Sequence, residues 1–102
     1  MAKKATPFSN ITVLDFSRYL PGGYATQVLA DLGAEVIKVE DTGLGDFMRH
    51  DYPTMGGGIS YYITALGRNK KSVSLNLKDS EVVDWFLKMA KEADIIVESF
   101  RP

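Results

Sequence analysis

The stretch LDFSRYLPGGYATQVLADLGAEVIKVED, from Leu14 to Asp41, constrains the fold more than any other part of the chain. Ile11 to Phe16 is a short apolar run with β-branched residues and reads as a buried strand. Ser17 to Gly23 reads as a turn, punctuated by Pro21-Gly22. Tyr24, Ala25, Val28, Leu29 and Leu32 then recur at helical spacing, which predicts a helix over 22–32. Gly33 stands where a glycine in the left-handed conformation ends a helix. Glu35 to Glu40 reads as a second strand. Strand, helix and strand in this order imply a parallel pair joined by a right-handed crossover. The glycines do not form the G-x-G-x-x-G of a dinucleotide site. Glu40 stands where such folds place the ribose-binding acid, but an NAD-binding reading is weak without the glycine pattern.

The rest of the chain extends the same architecture. Asp41 to Gly58 has four glycines before its last one and no clear period, and it is expected to form a long loop. Ile59 to Leu66 reads as a short helix, and Ser72 to Leu77 alternates as a strand over 72–77. Val82, Val83, Trp85, Phe86, Met89, Ala90 and Ala93 form an apolar stripe that predicts a helix over 79–92, with Asp79 or Ser80 as its cap. Trp85 and Phe86 are expected in the core. Asp94 to Glu98 is a last strand. Lys70-Lys71 reads as a solvated loop, and His50 as a surface histidine. The fold class is therefore α/β: a Rossmann-like parallel sheet with flanking helices. Residues 1–102 form one domain, with a flexible leader over 1–10 and the long loop over 41–58.

Composition excludes several kinds of chemistry. At 102 residues and a net charge of −1, nothing calls for nucleic acid or an anionic membrane through bulk charge. There is no cysteine and one histidine, so thiol chemistry is excluded and a metal site is not expected. No apolar run is long enough to span a membrane, and Met1 to Pro7 does not read as a signal peptide, so the default compartment is the cytoplasm.

In parallel sheets, ligands bind off the carboxyl ends of the strands. Those ends are Ser17–Gly23, Asp41–Asp46, Asn76–Lys78 and Ser99–Pro102. They carry Arg18, Lys78 and Arg101, three cations brought to one edge by topology. That edge suits a phosphate-rich ligand.

Four stretches in register resemble the class III CoA-transferases, which include formyl-CoA and carnitine CoA-transferases and α-methylacyl-CoA racemase. They are VLDFSRYLPGGYATQVLADLGAEVIKVE, GLGDFMR, RNKKSVSLNLKD and ADIIVESFRP. The resemblance runs from Ile11 to Pro102. It implies an N-terminal portion, incomplete relative to the full family fold, whose catalytic aspartate lies further along. No catalytic residue is therefore assigned here. It also implies contacts to CoA, as a substrate and not a tightly bound cofactor, from Arg18, Leu20 and Pro21, from Leu75, Asn76, Leu77 and Lys78, and from Ser99, Phe100 and Arg101. Many relatives carry a basic residue after the second strand, where this chain has Asp41. The implied reaction moves CoA from an acyl-CoA to a carboxylic acid, in a homodimer. An acyl-CoA racemase portion and a non-catalytic nucleotide-binding or interaction module are the alternatives.

Overall fold

The computed structural model describes residues 6–51 and 53–102. Four strands form one sheet in the order β3-β2-β1-β4. They are β1 (Thr12–Asp15), β2 (Glu35–Glu40), β3 (Lys70–Ser74) and β4 (Ile95–Val97). Every pairing is parallel: Val13 lies opposite Val36 on one side and Ile95 on the other, and Val36 lies opposite Lys70. The helices are α1 (Tyr19–Asp31), α2 (Tyr61–Leu66) and α3 (Ser80–Glu92). The α/β fold with a parallel sheet is as expected.

Alternation along the strands separates two cores. Val13 and Val36 face α1 and pack with Ala30 and Ala34, joined by Phe8 and Ile11. Leu14, Phe16 and Val39 face the other way and pack against Phe86, Met89 and Ala90 of α3. Part of the leader expected to be flexible, residues 1–5, lies outside the described residues; further along, Phe8 is held by its amide to the Leu32 carbonyl (3.1 Å).

Several boundaries differ from expectation for identifiable reasons. Helix α1 begins at Tyr19, inside what reads as a turn, with Pro21 in its first turn. The first amides of a helix have no partner within it, so a proline there sacrifices nothing. Its far end is as expected: Gly33 has φ +105° and its amide reaches the Ala30 carbonyl (3.0 Å). Strand β3 occupies 70–74, not 72–77. Strand β2 ends at Glu40, whose carbonyl takes the Leu75 amide (2.9 Å), so Leu75 to Lys78 leave the sheet. Lys70-Lys71 is no solvated loop. Both residues lie in β3, and the Lys70 side chain is 2% exposed against Asp15. Trp85 is half exposed, because it sits about a third of a turn away from the inward Phe86.

The long loop is partly structured. Asp46 caps a 3-10 turn over Phe47–His50. A second turn, Gly56–Gly58, tips a small hairpin in which Thr54 bridges Ser60. Helix α2 follows, capped by Ser60, which accepts the Tyr62 amide (3.1 Å). Asp79 caps α3 in the same way, accepting the Glu81 amide (2.9 Å). His50 is exposed, with Nε2 2.9 Å from the Leu44 carbonyl oxygen.

Candidate functional site

The order β3-β2-β1-β4 reverses direction at β1. The chain steps from β1 outward to β2 and β3, then returns through α3 to β4 on β1's other side. At such a switch point the segments leaving adjacent strands diverge and open a crevice. Here they are the Ser17–Arg18 turn and the Ser99–Arg101 tail. They stay linked at the base, where the Phe16 amide reaches the Val97 carbonyl (2.7 Å) and the Arg18 amide reaches Ser99 Oγ (3.1 Å).

Two clefts open at this edge. One, of about 210 Å³, has Phe16 and Val39 in its apolar wall and Arg18, Asn76 and Lys78 among its polar ones, with Glu40, Asp41 and Thr42 along β2's end. The other, of about 450 Å³, lies between Arg18, Tyr19 and Phe47 on one side and Ser99 and Arg101 on the other. Arg18 and Phe100 line both. The Phe100 ring leans on Phe16 at 6.0 Å, and Tyr19 stacks at a tilt on Phe47 at 5.7 Å.

Of the residues singled out in the sequence, Arg18, Leu75, Asn76, Leu77, Lys78 and Phe100 meet in the first cleft, and Arg18, Ser99, Phe100 and Arg101 in the second. Leu20 and Pro21 lie exposed on the first turn of α1 and line neither. The sequence reading missed Tyr19 and Phe47. The available signal was the G-x-G-D-x-x-R stretch, in which Phe47 follows the residue that caps the turn. The Gly22-Gly23 pair sits within α1 and serves packing. A Cβ on Gly22 would collide with the Ser17 side chain, and one on Gly23 would lie 3.0 Å from Met48 Cε.

Beneath the edge lies a buried ionic layer. Asp15 is fully buried and accepts the Ser17 amide (2.8 Å), the Ser17 hydroxyl and Thr26 Oγ1 (2.6 Å). Lys70 Nζ approaches it at 3.4 Å and donates to the Gly23 carbonyl (3.0 Å). Burial pushes the Lys70 ammonium below its ordinary pKa, against the pull of Asp15. Asp46, also fully buried, accepts the Met48 amide through Oδ1 (3.0 Å). Its Oδ2 makes no well-angled hydrogen bond, yet lies 2.6 Å from Lys38 Nζ as a close ion pair. Lys38 in turn donates to the Ser17 carbonyl (3.1 Å). These contacts grip both sides of Tyr19, whose φ of +63° is costly for a bulky residue and persists only where its surroundings hold it.

Glu40 is fully engaged. Arg49 donates to it through Nε and Nη2, both at 2.6 Å, and Ser72 Oγ (2.6 Å) and the Asp46 amide (2.9 Å) complete its shell. The Arg49 hydrogen bonds outweigh burial and hold its carboxyl down to about 2, while Glu40 raises the Arg49 pKa. A carboxylate so engaged is not free to bind a ribose. Gly45, at φ +73°, is required beside it, because a Cβ there would lie 2.8 Å from Glu40 Oε1.

The model of CoA-transferase family III matches residues 8–102. An acyl-CoA transferase of Fusarium pseudograminearum is 42% identical across 92% of the chain, and a formyl-CoA:oxalate CoA-transferase of Escherichia coli is 43% identical across 96%. Among solved structures, a hypothetical protein from Mycobacterium tuberculosis superposes with a TM-score of 0.83 at 39% identity over 97% of the chain. A CAIB/BAIF family protein from Brucella suis does so with 0.84 at 33% over 95%. The chain spans only 22% and 24% of the two curated relatives' lengths, and 26% of each solved chain. With its parallel sheet, its strand-end clefts and a match over nearly its whole length, the chain belongs to CoA-transferase family III.

Proposed function

We propose that this chain forms the coenzyme A side of a site that moves CoA from an acyl-CoA to a carboxylic acid. The observation that carries the reading is the pair of adjoining clefts at the switch point, with Arg18 and Phe100 common to both and Lys78 and Arg101 on their outer walls. A long ligand with an anionic nucleotide end and a less polar arm matches such a double cleft. The cations meet phosphates as charge-assisted donors, and the rings of Phe16 and Phe100 offer apolar contact.

The nucleophilic aspartate of such a transfer attacks the thioester and later leaves as an activated acyl group. The aspartates nearest the edge are unsuited to that role. Asp15 and Asp46 are buried against lysines, and Asp41 is paired with Arg18. We assign the nucleophile to sequence beyond these 102 residues, and the working form to a cytoplasmic homodimer.

Titration calorimetry with CoA tests the reading. Lys78→Ala and Arg101→Ala should each weaken CoA binding by about 1–3 kcal/mol, the scale of a charged hydrogen bond, and leave pantetheine, which has no phosphate, unaffected. Equal CoA affinity in both variants and the parent, or no binding by any of them, refutes it.

A further inference from the structure

The Asp41 carboxylate has two distinct jobs. Its Oδ1 accepts the amides of Gly43 (3.0 Å) and Gly45 (3.1 Å), which folds the start of the loop around it. Its Oδ2 is thereby turned toward Arg18, 3.4 Å from Nη2. The same guanidinium donates through Nη1 to the Gly45 carbonyl (3.0 Å). Arg18 thus engages one short loop twice, by a hydrogen bond through Nη1 and by an ion pair through Nη2. An incoming phosphate would offer the same kind of partner. Arg18 and Asp41 both line the smaller cleft, with Lys78 also on its wall.

We propose that Asp41 is a specificity-determining residue, a built-in anion that engages Arg18 and sets how strongly the cleft takes a phosphate group. This rests on the CoA reading given above and deepens it. A phosphate reaching Arg18 must turn Oδ2 aside or share the guanidinium against a second negative charge. Either way the nucleotide end is held less tightly than the count of cations suggests, and a phosphate-free arm is unaffected. The Asp41 side chain is 55% exposed, so water screens the contact and the effect is moderate.

Asp41→Asn is the informative variant. Asparagine keeps Oδ1 as the acceptor for Gly43 and Gly45 but removes the charge. By calorimetry, CoA affinity should rise about twofold to fivefold, the loss of one partly exposed competing ion pair. Pantetheine affinity should not change, and adding Arg18→Ala should abolish the gain. A gain in CoA affinity below about twofold, an equal gain for pantetheine, or a gain that survives Arg18→Ala overturns the proposal. The two readings fail differently. If the parent binds CoA and Lys78→Ala weakens it while Asp41→Asn has no effect, this inference alone falls. If neither the parent nor Asp41→Asn binds CoA, both fall. Should Asp41→Asn lower the melting temperature, Asp41→Ser repeats the comparison, because its hydroxyl still accepts the Gly43 amide.

Discussion

On the face of the sheet toward α3, Leu14, Phe16, Ile37, Val39 and Val73 pack against Phe86, Met89 and Ala90, and a T-shaped contact of 5.0 Å joins Phe16 to Phe86. Toward α1 the same strands begin apolar, at Val13 and Val36, and then turn ionic, with Asp15, Lys38, Glu40 and Lys70. The two faces share strands and length but depend on different physics. Apolar contact is non-directional, so the α3 face tolerates imperfect fit; α3 has no fully buried residue. A buried charge needs its own partner at the right distance, so the α1 face is all or nothing. That second face underlies the Ser17–Tyr19 turn, while Phe16 and Val39 of the first face wall the smaller cleft. The turn that carries Arg18 and Tyr19 into the candidate site therefore rests on the part of the fold least able to drift.

The difference can be broken most severely at Lys38. Lys38→Met leaves Asp46 buried without its ion-pair partner and should destabilise the protein by about 3–5 kcal/mol in urea unfolding. Adding Asp46→Asn should recover much of the loss, since the amide still caps Met48 but carries no charge. No recovery would mean that the lysine acts through packing alone.

Acid sharpens the comparison next. The Glu40 carboxyl is held at about 2 in the folded chain, against an ordinary value of 4.5. A depressed folded pKa means that the stabilisation is present above about 4.5 and is lost as pH falls toward 2. Its size is on the order of 2 kcal/mol, reduced from the full shift because Arg49 is partly exposed. Unfolding free energies of the protein and of Glu40→Gln should stay a constant distance apart above pH 4.5 and converge below it. A gap that does not change with pH would remove the ion pair from the account.

The smallest effect belongs to the apolar face. Phe86→Leu keeps most of the volume and removes the edge-on ring contact, for a loss of about 1 kcal/mol. That loss should be the same at neutral and acid pH. A dependence on pH there would mean that the two faces are not independent.

The fold was largely legible in the sequence, and the ionic layer was not. Period, punctuation and caps located the two long helices and the four strands, because those signals are local. Strand β3 shifted because its span depends on where β2 ends, which is a property of the pair. Lys70 read as solvated because a lysine beside a lysine ordinarily is; only Asp15, distant in sequence, draws it inward. The charges in EVIKVE did hold a clue. A parallel strand is covered on both faces, so Lys38 and Glu40 had to be buried, and buried charges need partners. Arg18, Lys78 and Arg101 were placed at one edge by topology alone. The Arg18–Asp41 clasp depends on loop conformation, and no periodic pattern records that.

Strand β1 lies in the middle of the sheet, yet its two neighbours are synthesised at very different times. Val13 meets Val36 almost as soon as α1 has formed, but it meets Ile95 only after β3 and α3 have both been made. The anchor at the strand's start is equally remote, because Thr12 donates its amide to Asp94, 82 residues away (2.8 Å). Asp15 waits in turn for Lys70. Closing so long a loop costs entropy before any contact repays it. During translation, then, the first of these four strands to emerge is the last to be enclosed, and the switch-point crevice comes into being only once β4 and the residues after it have left the ribosome.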